Sequence, residues 1–150
     1  MPTSKPTYRE YEQRRLGHSV NQLAGIAVMF RRAFGSSTFA GFWRYWNPLF
    51  SYYLYYYCYK PLDKFLPRSL VVIGTFTVSG TIHDFVASIM LLEIYILFSP
   101  VFTFWGLLVV GEEVFSLNFS RTQFWSRVII YATIIIGTVV AGLKIRSLLT

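Results

Sequence analysis

The sequence predicts an all-α, multi-pass integral membrane protein with about three transmembrane helices and further helices at the membrane surface. Of its 150 residues, 54% are apolar and only 14% are charged, whereas ordinary soluble domains carry about 25% charged residues. The mean hydropathy is +0.45. Three apolar runs, 70–98, 101–117 and 128–143, are near or above the length that crosses a bilayer. We expect a single membrane domain over residues 1–150.

The segments before these runs are more polar. Residues 1–18 are charged and have no apolar stretch, so we expect a loosely ordered or surface segment and no signal peptide. Residues 20–34 have apolar side chains at helical spacing and close with Arg31 and Arg32, which is typical of a helix lying in the membrane interface. Residues 39–60 are rich in Tyr and Trp, which prefer the headgroup level, and predict a tilted or partly embedded helix.

The distribution of positive charge indicates which kind of anionic partner the protein would bind. Ten of the fourteen Lys and Arg residues lie within residues 1–68, and the net charge is +7. Because these charges alternate with apolar residues next to membrane spans, they favour an anionic lipid surface over nucleic acid. We expect the N-terminal half to be cytoplasmic. The one cysteine, Cys58, has no intrachain partner and lies in no metal-ligand spacing.

A histidine lies near the middle of the longest apolar run. An ionised group at such a position costs about 2.5–3.5 kcal/mol on insertion scales, so it should face a cavity or a partner. His83 is suited to proton transfer near neutral pH. Ser79 precedes it by one helical turn, and Gly80 lets another helix approach closely. We therefore expect a small-walled pocket with a histidine in its floor; the alternative is that His83 only hydrogen-bonds a neighbouring helix.

The acidic residues in the apolar runs can have structural roles. Asp84 points about 100° around the helix from His83, so it would orient a different group or pair with an arginine such as Arg44. We interpret Glu93, Glu112 and Glu113 as structural, either paired or placed at a helix end near water.

The aromatic segment contains the second motif. In FWRYWNPLFSYYLYYYCYKPL, residues 42–62, eleven of the first eighteen residues are aromatic. Taken alone, Asn47 before a proline would favour a cap or a turn. Trp43 and Trp46 alone would favour interface anchors. The sequence SGTIHD follows at residues 79–84.

The ordered pair of segments resembles the motif of the membrane-bound O-acyltransferase (MBOAT) family. That motif has FW-x-x-W followed by Asn, Asp or His and an aromatic-rich helix, and then Ser-Gly-x-x-His, often followed by an acidic residue. The resemblance covers roughly residues 36–90 and is closest to the wax-synthase and sterol-acyltransferase-like branch.

The resemblance implies transfer of an acyl group from a thioester, usually acyl-CoA, to a hydroxyl of a lipid-like acceptor or sometimes to an amine. It implies that His83 is the catalytic base and that Asn47 assists it. It also implies that substrate contacts come from five further residues, namely Trp43, Arg44, Trp46, Ser79 and Asp84. Acyl-CoA would be a substrate, and we expect no cofactor and no metal.

Typical members of the family are at least twice as long and have eight or more spans. Members of the family enclose a tunnel for their substrates. We therefore expect a homo-oligomer or a partner subunit to complete this tunnel, unless the chain is a fragment or an inactive relative. The alternative function is a non-catalytic membrane protein that binds lipid or a partner through its aromatic and basic segments. A proton or ion path through His83, Asp84 and Glu93 is weaker, because these residues do not share one helical face.

Overall fold

The computed structural model describes residues 5–17 and 23–149, and these residues contain helices and no strand. The all-α prediction is therefore confirmed for this part of the chain. In chain order the helices are α1 (Tyr8–Leu16), α2 (Leu23–Phe34), α3 (Phe39–Tyr45), α4 (Pro48–Leu54), a π-helical segment (Tyr55–Tyr59), α5 (Lys60–Leu62), α6 (Arg68–Leu91), α7 (Phe98–Val114) and α8 (Phe124–Leu149).

Two helices, α6 and α8, are long and apolar enough to cross a membrane. The three predicted spans correspond to α6, α7 and α8. However, α7 has only 17 residues, or about 25 Å, which is less than the roughly 30 Å hydrocarbon core. Several side chains of α7, including those of Trp105 and Val109, are buried against the rest of the protein. The surface of α8 is mostly exposed and apolar, as expected for a helix in contact with lipid.

The prediction of one helix over residues 70–98 is wrong. Helix α6 ends at Leu91, and Leu92 adopts a left-handed backbone conformation with φ 55°. Ser99 and Pro100 do not break a helix, because they lie in the first turn of α7. A proline is tolerated there, since its missing N–H would have no partner within the helix.

Glycines allow α6 and α7 to pack closely. A Cβ on Gly80 would lie 2.5 Å from the carbonyl oxygen of Phe98, and one on Gly106 would lie 3.0 Å from the Cα of Ile73. The predicted close approach of another helix at Gly80 is therefore confirmed.

The aromatic segment, predicted as one helix over residues 39–60, is broken at Asn47. Asn47 has φ 43°, in the left-handed region, and Pro48 begins α4. The break is required because Pro48 cannot donate a hydrogen bond within a continuous helix, and its ring would clash with the carbonyl four residues earlier. Asn tolerates the left-handed conformation better than most residues.

Of the two expectations for residues 1–18, a loosely ordered or a surface segment, the first is wrong for the described part, which contains helix α1 with several exposed residues. Helix α1 has a capping box, in which Thr7 Oγ1 accepts from the Glu10 N–H and the Thr7 N–H donates to Glu10 Oε2 at 2.9 Å. Gly17 closes the helix with φ 72°. The hydroxyl of Tyr52 on α4 donates to the Pro6 carbonyl at 2.8 Å. Residues 1–4 and 18, and residues 20–22 of the predicted interfacial helix, lie outside the described part.

The interpretation of the glutamates as structural is confirmed. The carboxylate of Glu112 accepts from the backbone N–H groups of Phe39, at 2.6 Å, and Ala40, at 3.0 Å, and so joins the end of α7 to the start of α3. Glu113 pairs with Arg68 at 3.2 Å. The remaining glutamate, Glu93, hydrogen-bonds Arg146 at 2.7 Å.

Candidate active site

A cavity of about 290 Å³ is lined by residues of α1, α3, α4, α6 and α7 and of the π-helical segment. Six of the seven site residues predicted from the sequence line it: Trp43, Arg44, Trp46, Asn47, Ser79 and His83. The rest of the lining is largely aromatic: Tyr11, Phe50, Tyr55, Tyr59, Phe76 and Phe102. The fold thus brings both sequence motifs to one apolar cavity.

The hydrogen bond of His83 fixes the tautomer of its ring. Nδ1 lies 2.7 Å from the carbonyl oxygen of Ser79, one turn earlier on α6. A carbonyl can only accept, so this bond requires the proton on Nδ1, and in that tautomer Nε2 carries the lone pair. Phe50 at 5.3 Å and Phe102 at 4.9 Å, measured between ring centroids, pack against the imidazole. His83 is therefore held as an acceptor at Nε2.

Asn47 is both the cap of α4 and part of the cavity wall. Its Oδ1 accepts from the backbone N–H of Phe50 at 3.2 Å, which is the bond expected of an N-cap side chain. The side-chain Nδ2 has two donors that this bond does not use. The capping interpretation and the site interpretation of Asn47 are thus compatible, because they use different atoms.

Asp84 lies elsewhere, since it is not among the residues that line the cavity. It is 5% exposed, and its carboxylate accepts from the backbone N–H groups of Leu97 at 2.8 Å, Phe98 at 2.6 Å and Ser99 at 2.8 Å. It therefore caps the start of α7, and no bond to Arg44 forms. Asp84 positions α7 against α6, which is a structural role that the motif alone did not reveal.

The two tryptophans are partly buried and pack against other aromatic rings. Trp46 packs against Phe30 and Phe42, with ring centroids 5.2 and 5.3 Å away. Trp43 lies 4.9 Å from Trp105 between ring centroids. Its buried Nε1 has no acceptor among the described residues. Both rings form part of the cavity wall.

Comparison with known proteins decides the family. MBOAT, the membrane-bound O-acyltransferase family, matches residues 7–145. The protein belongs to this family. The sequence resemblance to the family is thereby confirmed.

Curated relatives of this MBOAT chain are sterol O-acyltransferases. Sterol O-acyltransferase 1 of Mus musculus is 25% identical over 116 residues, which are 75% of this chain and 21% of that protein. The Cricetulus griseus protein of the same name is 24% identical over 116 residues, or 75% and 20% of the two chains. The MBOAT chain spans about a fifth of the length of these relatives. No solved structure is significantly similar to it.

A second cavity of about 810 Å³ adjoins the first in this MBOAT protein, and Trp43, Arg44 and Arg15 line both. Arg68 and Glu113, which pair with each other, belong to the second cavity alone. The cationic residues that line both the first and the second cavity are therefore Arg15 and Arg44.

Sequence reasoning missed the contribution of α1 to the site. Tyr11 and Arg15 line the His83 cavity, and Arg15 Nη1 donates to the Arg44 carbonyl at 2.8 Å. Burial raises the pKa of the Tyr11 hydroxyl, so this group stays protonated at neutral pH. The capping-box pattern Thr7-x-x-Glu10 was the available signal for a helix here.

A third cavity of about 400 Å³ shares two lining residues, Trp46 and Asn47, with the first cavity. Its remaining lining carries no charged group and includes Ile26, Met29 and Phe30 of α2. The first cavity thus shares arginines with the second cavity and Asn47 with an uncharged third cavity.

Proposed function

We propose that this chain carries the catalytic centre of a multi-pass membrane acyltransferase. It would move an acyl group from acyl-CoA, or another acyl thioester, to a hydroxyl of a lipid-like acceptor. The observation that carries the proposal is the bond from His83 Nδ1 to the Ser79 carbonyl, which leaves Nε2 as a base in a cavity that Asn47 also lines. Membership of the MBOAT family supports it.

The proposed reaction needs one base and no cofactor. His83 Nε2 takes the proton of the acceptor hydroxyl while its oxygen attacks the thioester carbonyl carbon. The resulting tetrahedral intermediate collapses as the carbon–sulfur bond breaks. The leaving thiolate takes the proton back from the imidazolium, so the products are an ester and free thiol. Nδ1 stays bonded to Ser79 throughout, which keeps the ring in one orientation.

Asn47 and the aromatic walls would have separate roles. The Nδ2 donors of Asn47 are free to stabilise the oxyanion of the intermediate, and such a donor is worth about 10²–10³ in turnover. Phe50, Phe76 and Phe102 line the same cavity and would exclude water, which would otherwise hydrolyse the thioester.

The second and third cavities differ in charge and would bind different parts of the substrates. Arg15 and Arg44 in the second cavity would meet the phosphates of CoA, because guanidinium groups bind phosphate oxygens through charge-assisted hydrogen bonds. The uncharged third cavity would hold an apolar chain. The names of the relatives make a sterol one candidate for the acceptor.

The test is lipid mass spectrometry of cells that express the wild type or His83→Asn at matched protein levels. The asparagine side chain can still donate to the Ser79 carbonyl, but it cannot take up a proton. We expect a new ester only with the wild type and with His18→Ala, which changes the other histidine of the chain. Identical lipid profiles from inserted, folded protein would contradict the proposal and favour the non-catalytic alternative.

A further inference from the structure

A fourth cavity lies at the C-terminal end of α2, apart from the candidate active site. It has a volume of about 600 Å³, and its polar lining comes from Arg31, Arg32, Ser36, Ser37 and Tyr45. None of its lining residues also lines one of the three cavities described above. The residues of this cleft are therefore distinct from those that line the candidate active site.

The side chains of this cleft are mainly hydrogen-bond donors. Two guanidinium groups and three hydroxyl groups line it, and no carboxylate does. The second cavity is different, because its arginines lie beside Glu112, Glu113 and Asp63. Planar guanidinium groups bind phosphate through paired, charge-assisted hydrogen bonds. An anion with several acceptor oxygens is the ligand that this donor set fits.

One of the two arginines is held in place before any ligand binds. Arg32 Nη1 hydrogen-bonds the carbonyl oxygen of Arg15, and its guanidinium lies 6.0 Å from the centre of the Tyr45 ring. The Arg31 side chain is exposed and forms no hydrogen bond or ion pair with the described residues. One arginine thus shapes the cleft, and the other is free to close on a ligand.

The serine side of the cleft is also fixed. The carbonyl oxygen of Ser36 accepts from the Tyr131 hydroxyl at 2.9 Å, and that of Ser37 accepts from the Phe119 N–H at 2.7 Å. These bonds tie the α2–α3 loop to α8 and to the segment before it. The two carbonyl groups are therefore engaged away from a bound anion.

The position of the cleft identifies the source of the anion. On α2, Leu23, Ile26 and Phe30 are 88%, 39% and 43% exposed, and the exposed Arg31 and Arg32 follow on the same helix. This arrangement is typical of a helix in the membrane interface, with its apolar side chains in the acyl boundary and its arginines at the headgroups.

We propose that this cleft is a binding site for the phosphate of an anionic phospholipid headgroup. The phosphate lies between the two guanidinium groups and accepts from the hydroxyls of Ser36 and Ser37. A zwitterionic headgroup binds more weakly, because its ammonium is repelled by the same arginines. The site secures α2 and the α2–α3 loop to the membrane surface, whether or not the chain transfers acyl groups.

The experiment measures the unfolding temperature of the purified protein in detergent as phosphatidylglycerol or phosphatidylcholine is added, with inorganic phosphate in a parallel series. We expect phosphatidylglycerol to stabilise the wild type more than phosphatidylcholine does. Arg31→Gln should weaken the apparent affinity of the protein for phosphatidylglycerol about fivefold, and Arg31→Gln/Arg32→Gln should weaken this affinity further. The single variant is needed because Arg32 also contacts Arg15.

The matched control is Arg9→Gln/Arg14→Gln, which removes two exposed charges on α1 that line none of the four cavities. It should keep the wild-type affinity for phosphatidylglycerol. Equal loss in the control, or no preference of the wild type for the anionic lipid, would overturn the site. Stabilisation by inorganic phosphate through Arg31 and Arg32 would keep the phosphate chemistry but overturn the lipid as its source.

Discussion

Asp84 accepts hydrogen bonds from both the backbone N–H and the side-chain hydroxyl of Ser99. These bonds join the last third of α6 to the first turn of α7. Because the same carboxylate also accepts from Leu97 and Phe98, it satisfies N–H groups at the start of a helix that otherwise have no partner. Asp84, the acidic residue beside His83, thus stabilises the contact between α6 and α7, two of the helices that carry the site.

Asp84→Asn should therefore lower stability. An amide has one acceptor oxygen, so some of these N–H groups would lose their partner, at a cost of about 1–3 kcal/mol for a buried group. We expect a lower unfolding temperature in detergent and little loss of turnover per folded molecule. Glu93→Gln is the control, because its pair with Arg146 is partly exposed and such pairs contribute at most about 1 kcal/mol. A variant of Asp84 with normal stability and no activity would contradict the capping role.

Asn47→Asp separates the two roles of Asn47. Aspartate keeps the oxygen that caps α4 and tolerates the left-handed backbone, but it has no amide donor. We expect folded protein whose turnover of acyl thioester falls about 10²–10³-fold, as for loss of an oxyanion donor. Turnover is measured at saturating substrate, and the unfolding temperature serves as the control. Activity close to that of the wild type would show that the amide group donates nothing to the reaction.

Gly80→Ala should force α6 and α7 apart. The added Cβ would lie 2.5 Å from the Phe98 carbonyl oxygen, and overpacking of this kind costs about 1–3 kcal/mol. Gly137→Ala is the matched control, since a Cβ there meets no atom within 4 Å and alanine favours a helix interior by about 0.5–1 kcal/mol. The unfolding temperatures should move in opposite directions. A shift of the same sign in both would contradict the tight contact at Gly80.

Arg15→Gln tests the contribution of α1 to donor binding. Arg15 lines both the catalytic and the second cavity, and a hydrogen bond to a charged group contributes about 1.5–3 kcal/mol. We expect KM for acyl-CoA to rise roughly tenfold or more, with a smaller change in kcat. Arg14→Gln, the neighbouring exposed arginine that lines neither cavity, should keep both constants. Equal effects of the two variants would indicate only the general loss of positive charge.

The sequence predicted which residues share one cavity better than it predicted the helix boundaries. His83 and Asn47 were recognised because each stands out in an apolar or aromatic segment and because their order and distance match a family motif. The boundary at Leu92 was missed since an apolar run favours a continuous helix, whereas at Asn47 the cap was one interpretation but the helix was still drawn across it. The role of Asp84 was missed because the sequence gives no indication of where the first turn of α7 lies.

By itself, the composition predicted a helical membrane protein, and the order of the two motifs carried the resemblance to the MBOAT family, with His83 and Asn47 as candidate reactive residues. Only the tertiary structure decided that six predicted residues share one cavity, that α1 forms part of its wall, and that Asp84 caps a helix. The reason is physical. Transfer free energies act on each residue of a segment wherever it lies, whereas a cavity and a cap depend on hydrogen bonds and contacts between residues far apart in the chain.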